Sequence, residues 1–65
     1  MTATLEDGIA ALNAQEYGRA LSILTPLSEQ GQARAQYLVG NMYLNGLGVS
    51  PNEETALRYF RTAAE

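Results

Sequence analysis

The side chains that most often carry enzyme chemistry are missing from this sequence. It has no histidine and no cysteine, so the commonest general base and the thiolate nucleophile are both absent. The acids include two adjacent pairs, Glu6-Asp7 and Glu53-Glu54. Adjacent residues on a helix point about 100° apart, so neither pair forms a chelate or an acid–base couple. No serine has a plausible base beside it. We therefore expect no catalytic residue, no metal site and no cofactor.

The glycine-rich segment Gly46-Leu47-Gly48 invites comparison with a phosphate-binding loop. A dinucleotide fingerprint needs a third glycine three positions later, where this chain has Pro51. No strand precedes the segment, and no phosphate-binding lysine follows it. We expect instead a loop in which Gly46 and Gly48 adopt positive φ, with Leu47 and Val49 packed on the core.

The composition limits the class of partner. The formal net charge is −3, which disfavours a nucleic-acid surface, including one built on base stacking by the aromatic residues. We expect Tyr43 and Phe60 to serve packing instead. No apolar run approaches the length of a membrane span. Residues 1–14 lack the regions of a signal peptide, although one already removed would leave no trace. The lack of cysteine slightly favours the cytoplasm, and the compartment stays open.

The first half of the chain predicts two helices, over residues 4–14 and 17–30. Thr4 suits the N-cap of the first helix, since acids follow it in the first turn. We expect residues 1–3 to be frayed. The second helix has an apolar face at helical spacing, formed by Tyr17, Ala20, Leu21, Leu24 and Leu27. Gly31 marks its end.

Pro26 is the anomaly within the second helix. A proline there removes one hydrogen bond and crowds the carbonyl of Ser22, at a cost of about 3 kcal/mol. The helix either continues with a kink or stops at Thr25 and restarts. We favour the kinked helix, because Leu27 continues the apolar face.

The second half predicts helices over residues 33–45 and 51–64. Asn45 and Gly46 suit the left-handed end of the third helix. Ser50 suits the N-cap of the fourth, with Pro51 at its first position and Glu53 completing a capping box. An apolar stripe follows, made of Ala56, Leu57, Phe60, Ala63 and Ala64. Glu54 and Arg58 have the spacing of an exposed ion pair.

Three motifs of this half resemble one family. The run Ala35–Gly40, the turn Gly46–Val49 and the final Ala63-Ala64-Glu65 are similar to a Sel1-like repeat, a family of the tetratricopeptide superfamily. One full repeat covers about residues 33–65, and the upstream half resembles a shorter opening repeat. The resemblance implies an all-α fold: four antiparallel helices forming a fragment of a right-handed α-solenoid.

Overlaying the two halves supports an internal repeat. Gly8 and Asn13 lie 32 residues before Gly40 and Asn45, whereas Ala20 lies 36 residues before Ala56. The offset changes between the helices of a pair, so the second unit has four more residues in its loop. We therefore expect one domain of two helix–turn–helix units, residues 4–31 and 33–65.

Small residues in the two units predict close helix packing. Glycine inside a helix costs about 1 kcal/mol relative to alanine, so a packing advantage should compensate at Gly8 and Gly40. We expect Gly8 to face Ala20 and Gly40 to face Ala56. The expected repeat signature comprises Gly8, Ala20, Gly40, Gly46, Gly48, Ala56 and Phe60.

The resemblance also implies where a partner binds. In this superfamily the first helix of each unit lines the concave surface. The candidate binding residues there are Arg34, Tyr37, Asn41 and Asn45, extended by Ile9 and Asn13 in the first unit. An asparagine side chain both donates and accepts hydrogen bonds, which suits an extended peptide. The alternatives are an ordinary solvated face, or an Asn45 that caps its own helix.

The sequence therefore predicts a non-catalytic module that binds a protein or peptide partner on its concave face. The alternative is structural: the opening segment of a longer repeat array, or a unit that associates with a second copy. The last helix has no clearly polar outer face, so we expect self-association through it.

Overall fold

The computed structural model describes residues 3–65, and the expectation of fraying at Met1 and Thr2 lies outside them. Within this part the chain forms four α-helices and no strand, which confirms the all-α prediction. The helices are α1 Leu5–Asn13, α2 Tyr17–Glu29, α3 Ala33–Asn45 and α4 Glu53–Ala64. The extensive packing occurs between consecutive helices. Over the same residues, no helix has the length and apolarity needed to cross a membrane.

The start of α1 has the predicted cap. The Thr4 hydroxyl accepts a hydrogen bond from the Asp7 N–H at 3.3 Å, and a carboxylate oxygen of Asp7 accepts from the Thr4 N–H at 3.0 Å. This reciprocal capping box satisfies two backbone donors that the first turn leaves free.

The prediction for the start of α4 was wrong by two residues. The helix begins at Glu53, and its N-cap is Asn52, whose side-chain oxygen accepts from the Thr55 N–H at 3.0 Å. Ser50 and Pro51 belong to the loop, so Glu53 closes no capping box with Ser50. The loop geometry explains the shift, because the Asn52 N–H also donates to the Tyr43 carbonyl at 2.8 Å.

Helix α2 continues through Pro26 instead of stopping at Thr25, which confirms the predicted continuation, while the kink stays a prediction. Regular hydrogen bonding resumes after the proline, where the Gln30 N–H donates to the Pro26 carbonyl at 3.1 Å. Pro26 itself is exposed, while Leu27 and Ser28 in the last turn are buried. Burial of this turn against the rest of the protein offsets the cost of the interior proline.

The core lies where α2 and α3 meet. Its largest fully buried side chains are Leu24, Val39 and Met42. Small residues let the helix backbones approach closely around them, and the buried ones are Ala11, Ala20, Ala35 and Ala56. Leu24 from α2 and Val39 from α3 therefore occupy the centre of the only substantial apolar cluster in residues 3–65.

Close packing at the two helix glycines is present, and the nearest side chains there are larger than the predicted alanines. A Cβ atom on Gly8 would lie 2.5 Å from a terminal methyl carbon of Leu24. A Cβ atom on Gly40 would lie 2.7 Å from the ring of Phe60. Long side chains on a helix lean toward its N-terminus. The side chain that covers each glycine therefore comes from the residue one turn after the alanine: Leu24 follows Ala20, and Phe60 follows Ala56.

The α3–α4 loop has the predicted left-handed glycines. Gly46 has φ 69° and ends α3, and Gly48 has φ 76°. Leu47 between them is half-buried and packs on the core. A Cβ atom on Gly48 would come within 2.9 Å of the Tyr17 Cβ, so the loop lies directly on the first turn of α2.

Candidate functional site

Helix α3 positions the polar residues that the sequence singled out. Its buried side carries Ala35, Val39 and Met42. Arg34, Asn41 and Asn45 follow each other at offsets of seven and four residues, which places them along one stripe on the opposite side. Arg34 and Asn45 are exposed, and Asn41 is half-buried.

The Asn45 side chain forms one hydrogen bond within its own helix. Its side-chain nitrogen donates to the Asn41 carbonyl at 3.0 Å. This contact matches the alternative that Asn45 caps α3, and it leaves the amide oxygen as an acceptor. The role of Asn45 in partner binding stays a prediction.

Tyr37 lies at the edge of the polar stripe, against α4. Its ring centroid is 5.6 Å from that of Phe60, at an interplanar angle of 42°, and the residue is 54% exposed. The two rings border an open groove of about 480 Å³, lined by Ala33, Arg34, Tyr37, Leu38, Phe60, Ala63 and Ala64. Tyr37 therefore belongs both to the polar side of α3 and to the α3–α4 groove.

The predicted continuation of the surface lies on α1, which does not pack extensively on α3. Ile9 is half-buried and Asn13 is exposed. Helix α1 packs chiefly on α2, and α2 packs on α3. The candidate surface thus has one part on α1 and one on α3, and its use as a single binding site stays a prediction.

The large exposed apolar residues concentrate on α3 and α4. Tyr37, Leu44 and Leu57 are 54%, 44% and 45% exposed. Leu57 was predicted to belong to the apolar stripe of the last helix, but within this stripe Ala56 is completely buried and Leu57 is exposed. Helical spacing aligns Tyr37 with Leu44, and Leu57 with Phe60 and Ala64. Because Tyr37 contacts Phe60, the α3 row and the α4 row lie next to each other. We call the surface that they form together the end face. It consists of Tyr37, Leu44, Leu57, Phe60 and Ala64.

Sequence reasoning missed Gln36, which is buried. Its side-chain nitrogen donates to the Ser28 carbonyl at 3.1 Å, which ties α3 to the last turn of α2. The one available signal was a polar residue beside the buried positions of a helix. A second missed contact is the stacking of Tyr59 on Tyr43, with centroids 5.8 Å apart and an interplanar angle of 12°.

The described surface offers hydrogen bonding and apolar contact. Residues 3–65 contain no cluster of three metal-ligating side chains. Every buried side-chain nitrogen or oxygen in that part of the chain has a hydrogen-bond partner. The two ion pairs described, Arg19–Glu16 and the predicted Arg58–Glu54, are both exposed at 3.4 Å. Exposed pairs of this kind contribute about 0–1 kcal/mol.

Comparison with known proteins bears on the second half of the chain. The family model described as Sel1 repeat matches residues 33–65, just over half of the sequence. The match spans α3, the glycine loop and α4. No curated protein and no solved structure matches the chain significantly.

Proposed function

The chain belongs to the Sel1 repeat family, and we propose that it is a non-catalytic module that binds a peptide or protein segment on its inner face. The inner face is the surface formed by Arg34, Tyr37, Asn41 and Asn45 of α3 with Ile9 and Asn13 of α1. Sel1 repeats are generally protein-interaction modules with a helical solenoid-type fold. The family is a repeat scaffold without enzymatic chemistry.

The observation that carries this proposal is the unused polar capacity of α3. The arginine hydrogen bonds among residues 3–65 are made by Arg19 and Arg58, so the exposed Arg34 guanidinium is available to a partner. Asn41 lies on the same stripe. A guanidinium binds a carboxylate through two parallel hydrogen bonds, and a carboxamide pairs with a peptide group. These groups suit an extended peptide that carries an acidic residue.

A selection from random displayed peptides on the immobilised chain tests the proposal. Peptides that are enriched are then titrated against the wild type, Arg34→Ala and Asn41→Ala. We expect each substitution to weaken binding by about fivefold or more, as truncation of a contributing contact does. Arg58→Ala, on the outer side of α4, is the matched control and should bind like the wild type. Equal affinity for all four proteins would contradict binding on the inner face.

The second candidate function is structural. Three large apolar residues, Tyr37, Leu44 and Leu57, are exposed on the end face, where solenoid repeats normally stack on a neighbour. The chain would then open a longer array or associate with a second copy through α4. Sedimentation over a range of concentrations tests association, and a strict monomer at the highest concentration argues against it.

A further inference from the structure

Helix α4 carries a charge pattern that is complementary to itself. Glu53, Leu57 and Arg61 are spaced four residues apart, so they form one row along the helix, next to the end face. Leu57 is 45% exposed, and both charged residues are exposed. The rise of 1.5 Å per residue places the two charges about 6 Å on either side of the leucine.

Neither charge forms an ion pair with another of residues 3–65. The ion pairs among residues 3–65 are Arg19–Glu16 and Arg58–Glu54, and these involve neither Glu53 nor Arg61. If two α4 helices lie antiparallel with Leu57 at the crossing point, Glu53 of each copy faces Arg61 of the other. One two-fold axis thus pairs both acids, both arginines and both leucines.

The opposite end of the molecule argues against head-to-tail stacking of copies. In the repeat overlay, Asp7 of α1 takes the place of Val39, which is completely buried against α2. Docking α1 of a second copy into the α3–α4 groove would therefore bury the Asp7 carboxylate, which already caps its own helix. Burial of a charged group without a compensating partner is strongly unfavourable. Ala3 and Ala10 correspond in the same overlay to the buried Ala35 and Met42. Both are small, so their burial would contribute little apolar surface to offset the cost of burying Asp7.

The geometry points to a two-fold dimer in which the end faces of two copies meet, with antiparallel α4 helices crossing at Leu57 and reciprocal Glu53–Arg61 ion pairs. Both small and large residues are available for this contact, since Ala64 and Phe60 lie on the same side of α4. Antiparallel helices that cross at about 20° keep their charge rows within reach over two turns. The dimer rests on the second candidate function above, and it specifies the contact.

The test is a charge-reversal experiment with three samples: Glu53→Arg alone, Arg61→Glu alone, and an equimolar mixture of the two. Each single variant opposes like charges twice in its own dimer. We expect its dissociation constant to rise by about tenfold or more. In the mixture the heterodimer restores both pairs, so association should return to within about threefold of the wild type. Sedimentation equilibrium from about 10 µM to 1 mM covers the range of weak dimers.

The matched control is Arg58→Glu. It changes the net charge as Arg61→Glu does, and Arg58 borders the groove between α4 and the last turn of α2, away from the end face. We expect it to dimerise like the wild type. Far-UV circular dichroism of each variant shows whether it has kept its helices.

The outcomes separate the two ideas. A wild type that stays monomeric at every concentration overturns both self-association and this dimer. A dimer that is insensitive to the single reversals, or a mixture that fails to associate, overturns the α4 contact and leaves self-association standing. Glu53 and Arg61 also sit favourably in the helix dipole. If that were their whole role, mixing the variants would restore nothing.

Discussion

Substituting Gly8 with alanine tests the packing between α1 and α2. The added methyl carbon would lie 2.5 Å from one Leu24 carbon and 2.7 Å from another, whereas ordinary contacts begin at 3.4 Å. Leu24 is completely buried, so it cannot avoid the methyl by turning into solvent. Overpacking of this kind costs about 1–3 kcal/mol, while the higher helix propensity of alanine returns about 1 kcal/mol. We expect a net destabilisation of up to about 2 kcal/mol, because the clash involves the branching carbon of Leu24 as well as a terminal methyl carbon.

Gly18→Ala is the matched control. Gly18 also lies in a helix, but nothing would approach its added methyl within 4 Å. Alanine should therefore stabilise the protein there by about 0.5–1 kcal/mol. Thermal and urea unfolding, followed by circular dichroism, measure both variants. For a domain of this size we expect the midpoint of Gly8→Ala to fall by up to roughly 10 °C and that of Gly18→Ala to rise by a few degrees.

A double-mutant cycle identifies the neighbour of Gly8. Leu24→Ala removes the two carbons that meet the new methyl, so Gly8→Ala should cost much less when Leu24 is already alanine. The cycle is best measured in the Gly18→Ala background, whose added stability keeps the weakest variant folded. If Gly8→Ala stabilises the protein as Gly18→Ala does, or if its cost is unchanged without Leu24, the packing argument is refuted.

Three further substitutions test single contacts by urea unfolding. Gln36→Met keeps the shape of the side chain but removes the donor to the Ser28 carbonyl. We expect the free energy of unfolding to fall by only about 1 kcal/mol, since that carbonyl keeps a backbone partner at 3.1 Å. An unchanged free energy would mean that the buried hydrogen bond is dispensable. Asn52→Ala should cost about 1 kcal/mol through loss of the α4 cap, while Ser50→Ala should be near neutral; the reverse order would restore the original cap prediction. Pro26→Ala should stabilise α2 by about 1 kcal/mol or more, because the helix already continues through this position; destabilisation would show that the ring contributes packing.

Features decided by neighbouring residues in the chain were predictable from the sequence. The Thr4 capping box and the left-handed Gly46 follow from local spacing and backbone preference. The continuation of α2 was indicated by Leu27, although the backbone preference of Pro26 opposes it. The end residues of α3, Ala33 and Asn45, were predicted for the same reason. The predicted and observed helix ends agree here because caps and turns depend on interactions between residues a few positions apart in the chain.

Features decided between segments were not predictable in detail. Ser50 and Asn52 are both good caps, and the choice between them depends on the loop, which fixes Asn52 through the Tyr43 carbonyl. The neighbour of Gly40 depends on how far the Phe60 ring leans along its helix. The exposure of Leu57 depends on how α4 is rotated about its own axis, and a rotation smaller than the angle between two successive residues changes it. None of these quantities is encoded in the spacing of apolar residues.

The position of Tyr37 links the two candidate functions. It was assigned to the inner face from its place on α3, yet its ring lies on Phe60 and so also borders the end face. Loss of peptide binding in Tyr37→Ala would therefore not identify which surface acts, since removing the ring changes both. Asn45 belongs to the inner face and has no end-face residue at helical spacing on α3, whereas Leu57 belongs to the end face alone. Because these two residues are on different helices, substitutions at them can assign an effect to one surface.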